Sequence, residues 1–489
     1  MGYKFSLSFL TGIVLVATSA TAVSAAAQPT TPSGAVSLDS CRSMALANNK
    51  SLQISRQAIQ TADYVKKEAK SAYLPGLDFN GGYMYNQKSI SLLEQDAMLP
   101  VKVFIPEKGA YDFKLVTNPQ TGAPVMVDGK PVPAEVALLP KEAMEFNIHN
   151  VFFGAVTLTQ PVYMGGKIRA LNEMSGYAAD LARALHESGS EDVIYAVDGA
   201  YWQVVSLKAK HDLAKSYVEL LESLDSNVGK MVDEGVATRS QKLQVDVKLN
   251  EARVDLTKVE NGLVLSRMAL AKVCGLPLNT VFTLEDEESK MPAPEKAVTP
   301  ADIEKAYERR GDLRALELGI KIAGQQKKIA KASMLPNVAV VGAYSFSNPN
   351  AFDGFKTRFN GGFSVGAMVS IPIWHWGGNY NKYKAAESQE TTMKLRLEDA
   401  RELVDLQITQ AGYRAQEALK TYRMTTSNLE AADENLRSAT VGFKEGVMTS
   451  DDVMKAQTAW LKANSENIDA MIDIHLCDTY LSKVLGTLN

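Results

Sequence analysis

The sequence has few cysteines and no excess of basic charge. Only three of its 489 residues are cysteine, namely Cys41, Cys274 and Cys477, which is too few for a disulfide framework. Cys41 and Cys274 could meet if their helix ends are neighbours, but three small buried residues are the preferred interpretation. The formal net charge is −4, so nucleic acid is not expected as a partner.

The sequence also lacks the clusters of reactive side chains on which enzymes depend. Its histidines are scattered, without the spacing of metal ligands: His149, His186, His211, His375 and His475. It has neither a glycine-rich phosphate loop nor a nucleophile elbow. We therefore expect no catalytic residue, no cofactor and no metal ion, and hence no enzyme.

The N-terminus reads as a secretory signal peptide over residues 1–25. Lys4 supplies the positive start, Leu7 to Val16 form a short apolar core, and Val23-Ser24-Ala25 gives a small-x-small cleavage pattern. The core is too short to cross a bilayer, and no later segment approaches about 18 uninterrupted apolar residues. The sequence thus predicts an exported chain without a membrane helix.

The mature chain repeats itself. Pro75 and Pro336 lie 261 positions apart, and the same shift aligns Gly81 with Gly342 and Tyr83 with Tyr344. Further along the shift is 211, as for Pro161 and Pro372. The first copy must therefore hold 50 extra residues between Tyr83 and Pro161. A duplicated unit favours a symmetric assembly around an axis over a single catalytic cleft.

Each copy is predicted to run helix, strand, strand, long helix, return helix. Helices stop before the Leu-Pro pairs, where proline ends a helix, and a proline-rich acidic linker separates the copies. The first repeat, 26–275, is expected to hold helix 38–74, strands 76–86 and 150–160 around an outer loop 87–149, long helix 167–233 and return helix 239–274. After the linker 276–300, the second repeat, 301–489, is expected to hold helix 301–335, strands 337–347 and 361–371, long helix 379–444 and return helix 450–486.

The four predicted strands alternate between apolar and polar residues, with aromatic residues near their ends. Tyr83 and Tyr85 share a face, whereas Asp78 and Asn80 lie on the other. A soluble hairpin would explain any one segment, but four such strands in an exported chain favour an outer-membrane barrel. Single-chain barrels start at about 8 strands, and open edges are not tolerated in lipid. Several chains are therefore expected to share one barrel.

The long helices carry a coiled-coil seam with steps of four and three residues. In the first copy it runs from Val193 to Val232 and is interrupted by His211 and Asp225; in the second it runs from Val404 to Phe443 and is interrupted by Thr425. At roughly 1.5 Å per residue, a helix of this length reaches on the order of 100 Å. Such a length suits the wall of a tube.

Each long helix ends in a tight glycine-centred turn, Glu234 to Thr238 in the first copy and Glu445 to Thr449 in the second. Gly235 and Gly446 are expected to close their helices in the left-handed conformation. A new cap follows each turn, at Thr238 and Thr449.

The duplicated order and the glycine-centred tips resemble the TolC family of outer-membrane efflux proteins. The C-terminal Leu485-Gly486-Thr487-Leu488-Asn489 adds to the resemblance, which covers essentially the whole mature chain. It implies a mostly α-helical protein with a membrane β-barrel, in which a homotrimer forms a 12-stranded barrel continued by a helical tunnel into the periplasm. The implied partners are outer-membrane lipid, a periplasmic adaptor protein and an inner-membrane pump.

The resemblance also assigns roles at the tips. In the family a carboxylate ring lines the aperture after the second tip, where Asp452 matches one member and Lys455 the other position. A locking arginine matches Met448, and its polar partners match Ser240 and Gln241, so the lock is only partly present. Adaptor docking falls on Glu234, Gly235, Val236, Thr238, Glu445, Gly446, Val447 and Thr449. The alternative for Asp451 and Asp452 is capping of the helix that follows.

The resemblance implies an exit duct for small molecules such as drugs and toxic compounds. One alternative is the outer-membrane duct of type I protein secretion, which has the same fold. Another, of a different class, is a periplasmic coiled-coil adaptor or scaffold that never enters the outer membrane. The sequence leaves all three open.

Overall fold

The computed structural model describes residues 35–287, 300–350 and 353–488, with the side chains of 300–304 left aside. The expected signal peptide, residues 288–299 of the linker and the last residue, Asn489, lie outside the described residues.

Eight α-helices account for most of the described chain, and their bounds repeat between the two copies. They are α1 (Leu38–Asn48), α2 (Lys50–Ser71), α3 (Lys167–Asp233), α4 (Arg239–Val273), α5 (Pro300–Arg309), α6 (Gly311–Ala332), α7 (Gly378–Lys444) and α8 (Ser450–Val484). Two 3₁₀ turns are also present, at Lys141–Met144 and Glu285–Glu287.

Four long strands form one sheet, and the remaining strands are short. The long strands are β2 (Gly76–Tyr85), β11 (Asn150–Met164), β13 (Asn337–Asn348) and β14 (Asn360–Ser370). The short ones are β1 (Ala35–Val36), β3 (Ile90–Ser91), β4 (Ala97–Pro100), β5 (Lys102–Ile105), β6 (Ala110–Phe113), β7 (Met126–Val127), β8 (Lys130–Pro131), β9 (Val136–Leu139), β10 (Glu145–Phe146) and β12 (Thr283–Leu284).

The chain divides into two compact units that cut across both repeats. Of the described residues, the strand unit comprises 55–187, 310–350 and 353–404, and the tip unit comprises 35–54, 188–287, 300–309 and 405–488. Each unit thus holds matching parts of both copies. The sequence repeats are therefore not separate spatial domains.

In the strand unit the four long strands lie in the order β14-β13-β11-β2, and each neighbouring pair is antiparallel. β2 and β11 form the hairpin of the first copy, and β13 and β14 form that of the second. The β11–β13 pair joins the two hairpins. Each neighbour along the chain thus stays a neighbour in the sheet, as is usual for antiparallel strands.

The strand register places most aromatic residues of the four strands on one face. Val156 lies opposite Phe79 on one side and Tyr344 on the other, and Tyr344 lies opposite Phe363. Because side chains alternate along a strand, Asp78 and Thr157 share the other face, where they pair with each other. The expected alternation is present, although Phe153 is an aromatic exception on the polar face.

The structure corrects three details of the predicted elements. The expected helix 38–74 is broken at Asn49, and its counterpart 301–335 is broken at Arg310, which lies at the equivalent position of the second copy. Asn49 has an extended backbone, accepts a hydrogen bond from Ser51 N (2.8 Å) and donates one to Val273 O (2.8 Å). Its side chain thus replaces the helical hydrogen bonds, as asparagine commonly does.

The second correction concerns Pro161, where the strand 150–160 was expected to end. β11 continues to Met164, and its pairing with β13 shifts register between Pro161 and Tyr163. β2 has already ended at Gly76, opposite Thr159. Proline is tolerated at such a bulge because the ladder of hydrogen bonds is already interrupted there.

The third correction concerns the outer loop 87–149, which contains structure of its own. Three small antiparallel pairs, β4–β9, β5–β6 and β7–β8, lie inside it, and β3–β10 closes its base. His149 Nδ1 hydrogen-bonds Asn86 O (2.8 Å) where the loop leaves the sheet.

The seam residues of the tip unit are buried, and its polar interruptions have partners. Val197, Val204, Leu221 and Val228 are among the most buried side chains. His211 Nδ1 lies 3.0 Å from Asp212 Oδ1. Asp225 accepts from Lys242, and Thr425 Oγ1 donates to Tyr422 O (3.0 Å) and accepts from Asn467 (3.3 Å). The interruptions are therefore satisfied hydrogen-bonding positions.

A buried carboxylate ties three helices of the tip unit together. Asp198 on α3 is fully buried and receives two hydrogen bonds from Arg42 on α1, at 2.8 and 2.5 Å. Thr479 on α8 donates to it at 3.2 Å. A bidentate arginine with a third donor is the arrangement that a buried carboxylate needs.

Two of the three cysteines meet in the same unit. Cys41 on α1 and Cys274 after α4 are buried, whereas Cys477 on α8 is half-buried, contrary to the expectation of three buried residues.

Within the described residues, no helix is both long and apolar enough to span a bilayer.

We predict that the two faces of the sheet differ in how well they tolerate a charged substitution. Val365 on the apolar face is 65% exposed in the single chain. If this face meets lipid, Val365→Arg should hinder assembly by about 2–4 kcal/mol near the middle of the bilayer. The amount of heat-modifiable protein in the outer-membrane fraction measures the effect.

Ser364→Arg provides the matched control, because Ser364 is the exposed neighbour on the other face. Ala339 on the same face would be a poorer control, because it is 9% exposed and has little room for an arginine. Equal losses for Val365→Arg and Ser364→Arg would show that the faces do not meet different surroundings.

Candidate functional site at the helix tips

Both long helices end in the same hydrogen-bonded turn. At the first tip Gly235 has φ +75° and its N–H donates to Val232 O (3.0 Å), while Val236 N donates to Met231 O (2.8 Å). At the second tip Gly446 has φ +79°, and Val447 N donates to Gly442 O (2.9 Å). These are the paired bonds of a Schellman motif, which satisfies the last carbonyls of a helix.

The tip glycines are required by backbone conformation and not by crowding. A side chain placed at Gly235 or Gly446 would meet no atom within 4 Å. Residues other than glycine pay roughly 1–2 kcal/mol for the left-handed conformation. The expected left-handed glycines are therefore present at both tips.

Each turn leads directly into a capped return helix. Thr238 Oγ1 accepts from Gln241 N (3.3 Å), and Gln241 Oε1 accepts from Thr238 N (2.8 Å). At the second tip Asp452 takes the place of glutamine: its Oδ2 accepts from Thr449 N (3.0 Å), and its N–H donates to Thr449 Oγ1 (3.3 Å). Both tips are complete capping boxes.

The two tips rest on one apolar cluster and expose one valine each. Leu224, Val228 and Val245 pack there with residues of the second copy, namely Ala439, Val453, Met454 and Ala456. Val236 and Val447, by contrast, are 72% and 79% exposed. Since burial would stabilise an apolar side chain, these two valines are available for contact with another molecule.

The acidic residues after the second tip bind partners in their own turn or helix. Asp451 Oδ2 lies 2.6 Å from Lys455 Nζ on the same helix, and this ion pair raises the pKa of Lys455. Hydrogen bonds from the side chain and backbone of Thr449 lower the pKa of Asp452. In the single chain Asp452 therefore makes the contacts of a helix cap, which is the alternative role considered for it.

The family's lock residues take other contacts here. Met448 lies over Gly442, where an added side chain would come within 3.0 Å of the Met448 sulfur. Gln241 is held by its capping box, and Ser240 is exposed. Met448, Ser240 and Gln241 do not form a shared hydrogen-bonded group in the single chain.

A charged cluster behind the first tip went unnoticed in the sequence. Lys242 on α4 pairs with Asp225 on α3 and, at 2.6 Å, with Asp246 one turn further along α4. The hydrogen bond to Asp225, followed by that to Asp246, raises the pKa of Lys242. The available signal was Asp225 itself, an acidic residue on an otherwise apolar seam, but the sequence did not reveal its partner.

No group of three or more His, Cys, Asp or Glu in 35–287, 300–350 or 353–488 is placed to hold a metal ion. The surface at the tips consists of turns, caps and exposed apolar side chains. Such a surface is suited to contact with another protein.

Comparison with known proteins gives matches in sequence and in structure. Residues 303–487 match the family model described as outer membrane efflux protein. Over 214 residues, 43% of this chain and 38% of the relative, the sequence is 28% identical to the fusaric acid resistance protein FusA of Burkholderia cepacia. It is also 25% identical to nodulation protein T of Rhizobium leguminosarum bv. trifolii over 302 residues, which are 56% of this chain and 62% of that protein. The matches thus span less than two thirds of either relative.

The fold is also that of a solved outer-membrane channel. The channel OprN superposes with a TM-score of 0.71 over 92% of this chain and 90% of its own, at 15% identity. At this level of identity the likeness concerns the fold.

The two capping boxes predict different responses to acid. Because the pKa of Asp452 is below its usual value of 3.8 in the folded protein, its cap contributes stability above that value. The contribution disappears as the pH falls through the lowered pKa. Gln241 does not titrate, so the first cap should not change. Hydrogen exchange from pH 6 to pH 3 should show selective loss of protection around Thr449.

Asp452→Asn is the control, because asparagine keeps the acceptor without the titration. This variant should show the same tip protection at both pH values. Parallel loss of protection at both tips of the unmodified protein would contradict the assignment to Asp452.

Proposed function

We propose that this chain, whose residues 303–487 match the outer membrane efflux protein family, is a TolC-type exit duct of a tripartite efflux system. It passes small molecules from a periplasmic adaptor and an inner-membrane pump through the outer membrane. Transport is passive: the chain contributes a channel wall and performs no chemistry. Its location in the outer membrane follows from the family and from the channel fold.

The observation that carries this proposal is the open sheet with its exposed apolar face. Phe79, Phe363 and Val365 are more than half exposed in the single chain. The edge strands β2 and β14 have ten and eleven residues, and neither has a second partner among the described strands. Lipid would cover the apolar face, but it could not pair the strand edges.

Three copies satisfy those edges. Four consecutive antiparallel strands leave β2 and β14 running in opposite directions, so β2 of one copy can pair with β14 of the next without breaking the alternation. Three chains then give the even total of 12 strands, within the range of membrane barrels. The proposed assembly is a homotrimer.

The tips are the proposed docking surface for the adaptor. Their turns are rigid because the glycine closure and the capping box fix each end, and rigid surfaces lose little entropy on binding. Val236 and Val447 supply exposed apolar contacts, and Glu234 and Glu445 supply polar surroundings. Asp451, Asp452 and Lys455 lie just beyond, where a trimer would bring three copies of each around one axis.

Small compounds are favoured over proteins as substrates by one relative. FusA is named for resistance to fusaric acid, which is a small compound. The alternative remains a type I protein-secretion duct, because the pump selects the substrate in either system. Sensitivity of a deletion strain to a panel of toxic compounds, measured beside its secreted proteins, separates the two.

The periplasmic scaffold is the weaker alternative. It has no need for an apolar sheet face, whereas the channel fold accounts for that face. Heat-modifiable trimers that require detergent for extraction would support the channel. Monomers released without detergent would support the scaffold.

The docking proposal predicts a specific loss of function at the tips. Val236→Glu combined with Val447→Glu should abolish efflux, because each substitution places a charge where apolar contact is needed. Trimer yield and outer-membrane insertion should stay normal, since neither side chain packs in the core. Compound susceptibility and adaptor crosslinking measure the two effects.

Val281→Glu is the matched control, because Val281 is 87% exposed and lies away from both tips. It should leave efflux unchanged. Full efflux and full adaptor crosslinking by the double tip variant would place the docking surface elsewhere and leave the glycines with a capping role only.

A further inference from the structure

The two buried cysteines, Cys41 and Cys274, lie in a contact that has no role in the proposed transport. Cys41 is in the first turn of α1 and Cys274 directly follows α4, and each is 1% exposed. The Cys274 sulfur lies 3.7 Å from Cys41 O.

The surrounding contacts hold the segment around Cys274 against the end of α1. Asn49 Nδ2 donates to Val273 O (2.8 Å), the residue before Cys274. Gly275, the residue after it, lies so close to α1 that an added side chain would come within 2.6 Å of the Asn48 carbonyl carbon. The C-terminal end of α4 is thus clamped against α1 on both sides of Cys274. Both thiols belong to the apolar cluster of the tip unit.

We propose that Cys41 and Cys274 are joined by a disulfide bond in the exported protein. The proposal depends on the outer-membrane location and not on the efflux activity, so either can fail without the other. A protein that reaches the outer membrane folds after export, in a compartment that oxidises thiols. Cys274 Sγ lies 3.7 Å from the Cys41 backbone oxygen, so the two buried residues are neighbours in a compartment that favours disulfides.

The bond would form by thiol–disulfide exchange with a disulfide-bearing oxidant of the periplasm. One cysteine attacks the oxidant's disulfide, which releases one oxidant thiol and leaves a mixed disulfide. The second cysteine then attacks that mixed disulfide and releases the other oxidant thiol. The chain loses two electrons and two protons, and the oxidant becomes a dithiol.

In the finished fold the two thiols differ in pKa. The neighbouring Cys41 side chain lowers the pKa of Cys274. The neighbouring Cys274 side chain, burial and the nearby Asp198 raise the pKa of Cys41. Because the pair is buried in the finished fold, exchange would take place while α1 docks onto α4.

The bond would close a large part of the chain into one loop. The cysteines are 233 positions apart. The sheet strands β2 and β11 and the helices α3 and α4 of the first copy lie between them. Next to the pair, β1 and β12 join the same two regions, with Ala35 opposite Thr283. Crosslinks across longer loops restrict the unfolded chain more strongly. The start of the first copy would thereby be fixed to its end.

Counting thiols in the full chain tests the proposal. Protein purified from outer membranes is unfolded and treated with a maleimide-polyethylene glycol, with or without prior reduction. We expect one labelled thiol, Cys477, before reduction and three afterwards. Mass spectrometry of unreduced peptides should find Cys41 linked to Cys274.

Variants make the result independent of whether the bond is needed for folding. Cys477→Ser should give no labelled thiol before reduction and two afterwards. The double variant C41S/C274S should give one in both conditions. Three labelled thiols in unreduced wild-type protein, or a link that involves Cys477, would overturn the proposal.

Discussion

The antiparallel pairing of β11 with β13 makes one structure out of two sequence repeats. β11 belongs to the first copy and β13 to the second, and they pair from Phe152 opposite Asn348 to Met164 opposite Asn337. Without this pairing each copy would present an isolated hairpin, which is at best marginally stable in water. With it, β11 and β14 run in the same direction. The long helices α3 and α7 therefore leave the sheet from the same end, and α2 and α6 enter it there.

Elements governed by local periodicity were predictable from the sequence. The long helices occupy 167–233 and 378–444 because an apolar seam repeats over many turns without proline. The shared strand face was predictable because side chains alternate and both hairpins connect neighbouring strands. Elements governed by a partner were not: the break at Asn49 depends on Val273, which is distant in sequence. Pro161 stays in a strand at a bulge in the pairing with β13, beyond the end of β2.

The same distinction separates the tips from the polar contacts behind them. Glycine, threonine and glutamine at fixed spacing specify a turn and a cap locally, so both tips were identifiable from a few residues. Lys242 and Asp225 lie on different helices, and their pairing depends on how α3 packs against α4. Arg42 and Asp198 are 156 positions apart. Such contacts follow from the packing of helices, which periodicity alone does not specify.

Comparison of the two tips shows that one residue can both cap a helix and carry a charge. Gln241 and Asp452 close equivalent capping boxes, so a carboxylate is not required for the cap. Asp452 nevertheless remains ionised, because its hydrogen bonds with Thr449 lower its pKa. Lys455 offsets Asp451, so these three residues carry a formal charge of −1 per chain. In the proposed trimer, any attraction of cations at the proposed aperture would therefore depend mainly on Asp452, whose charge persists while its oxygen caps the helix.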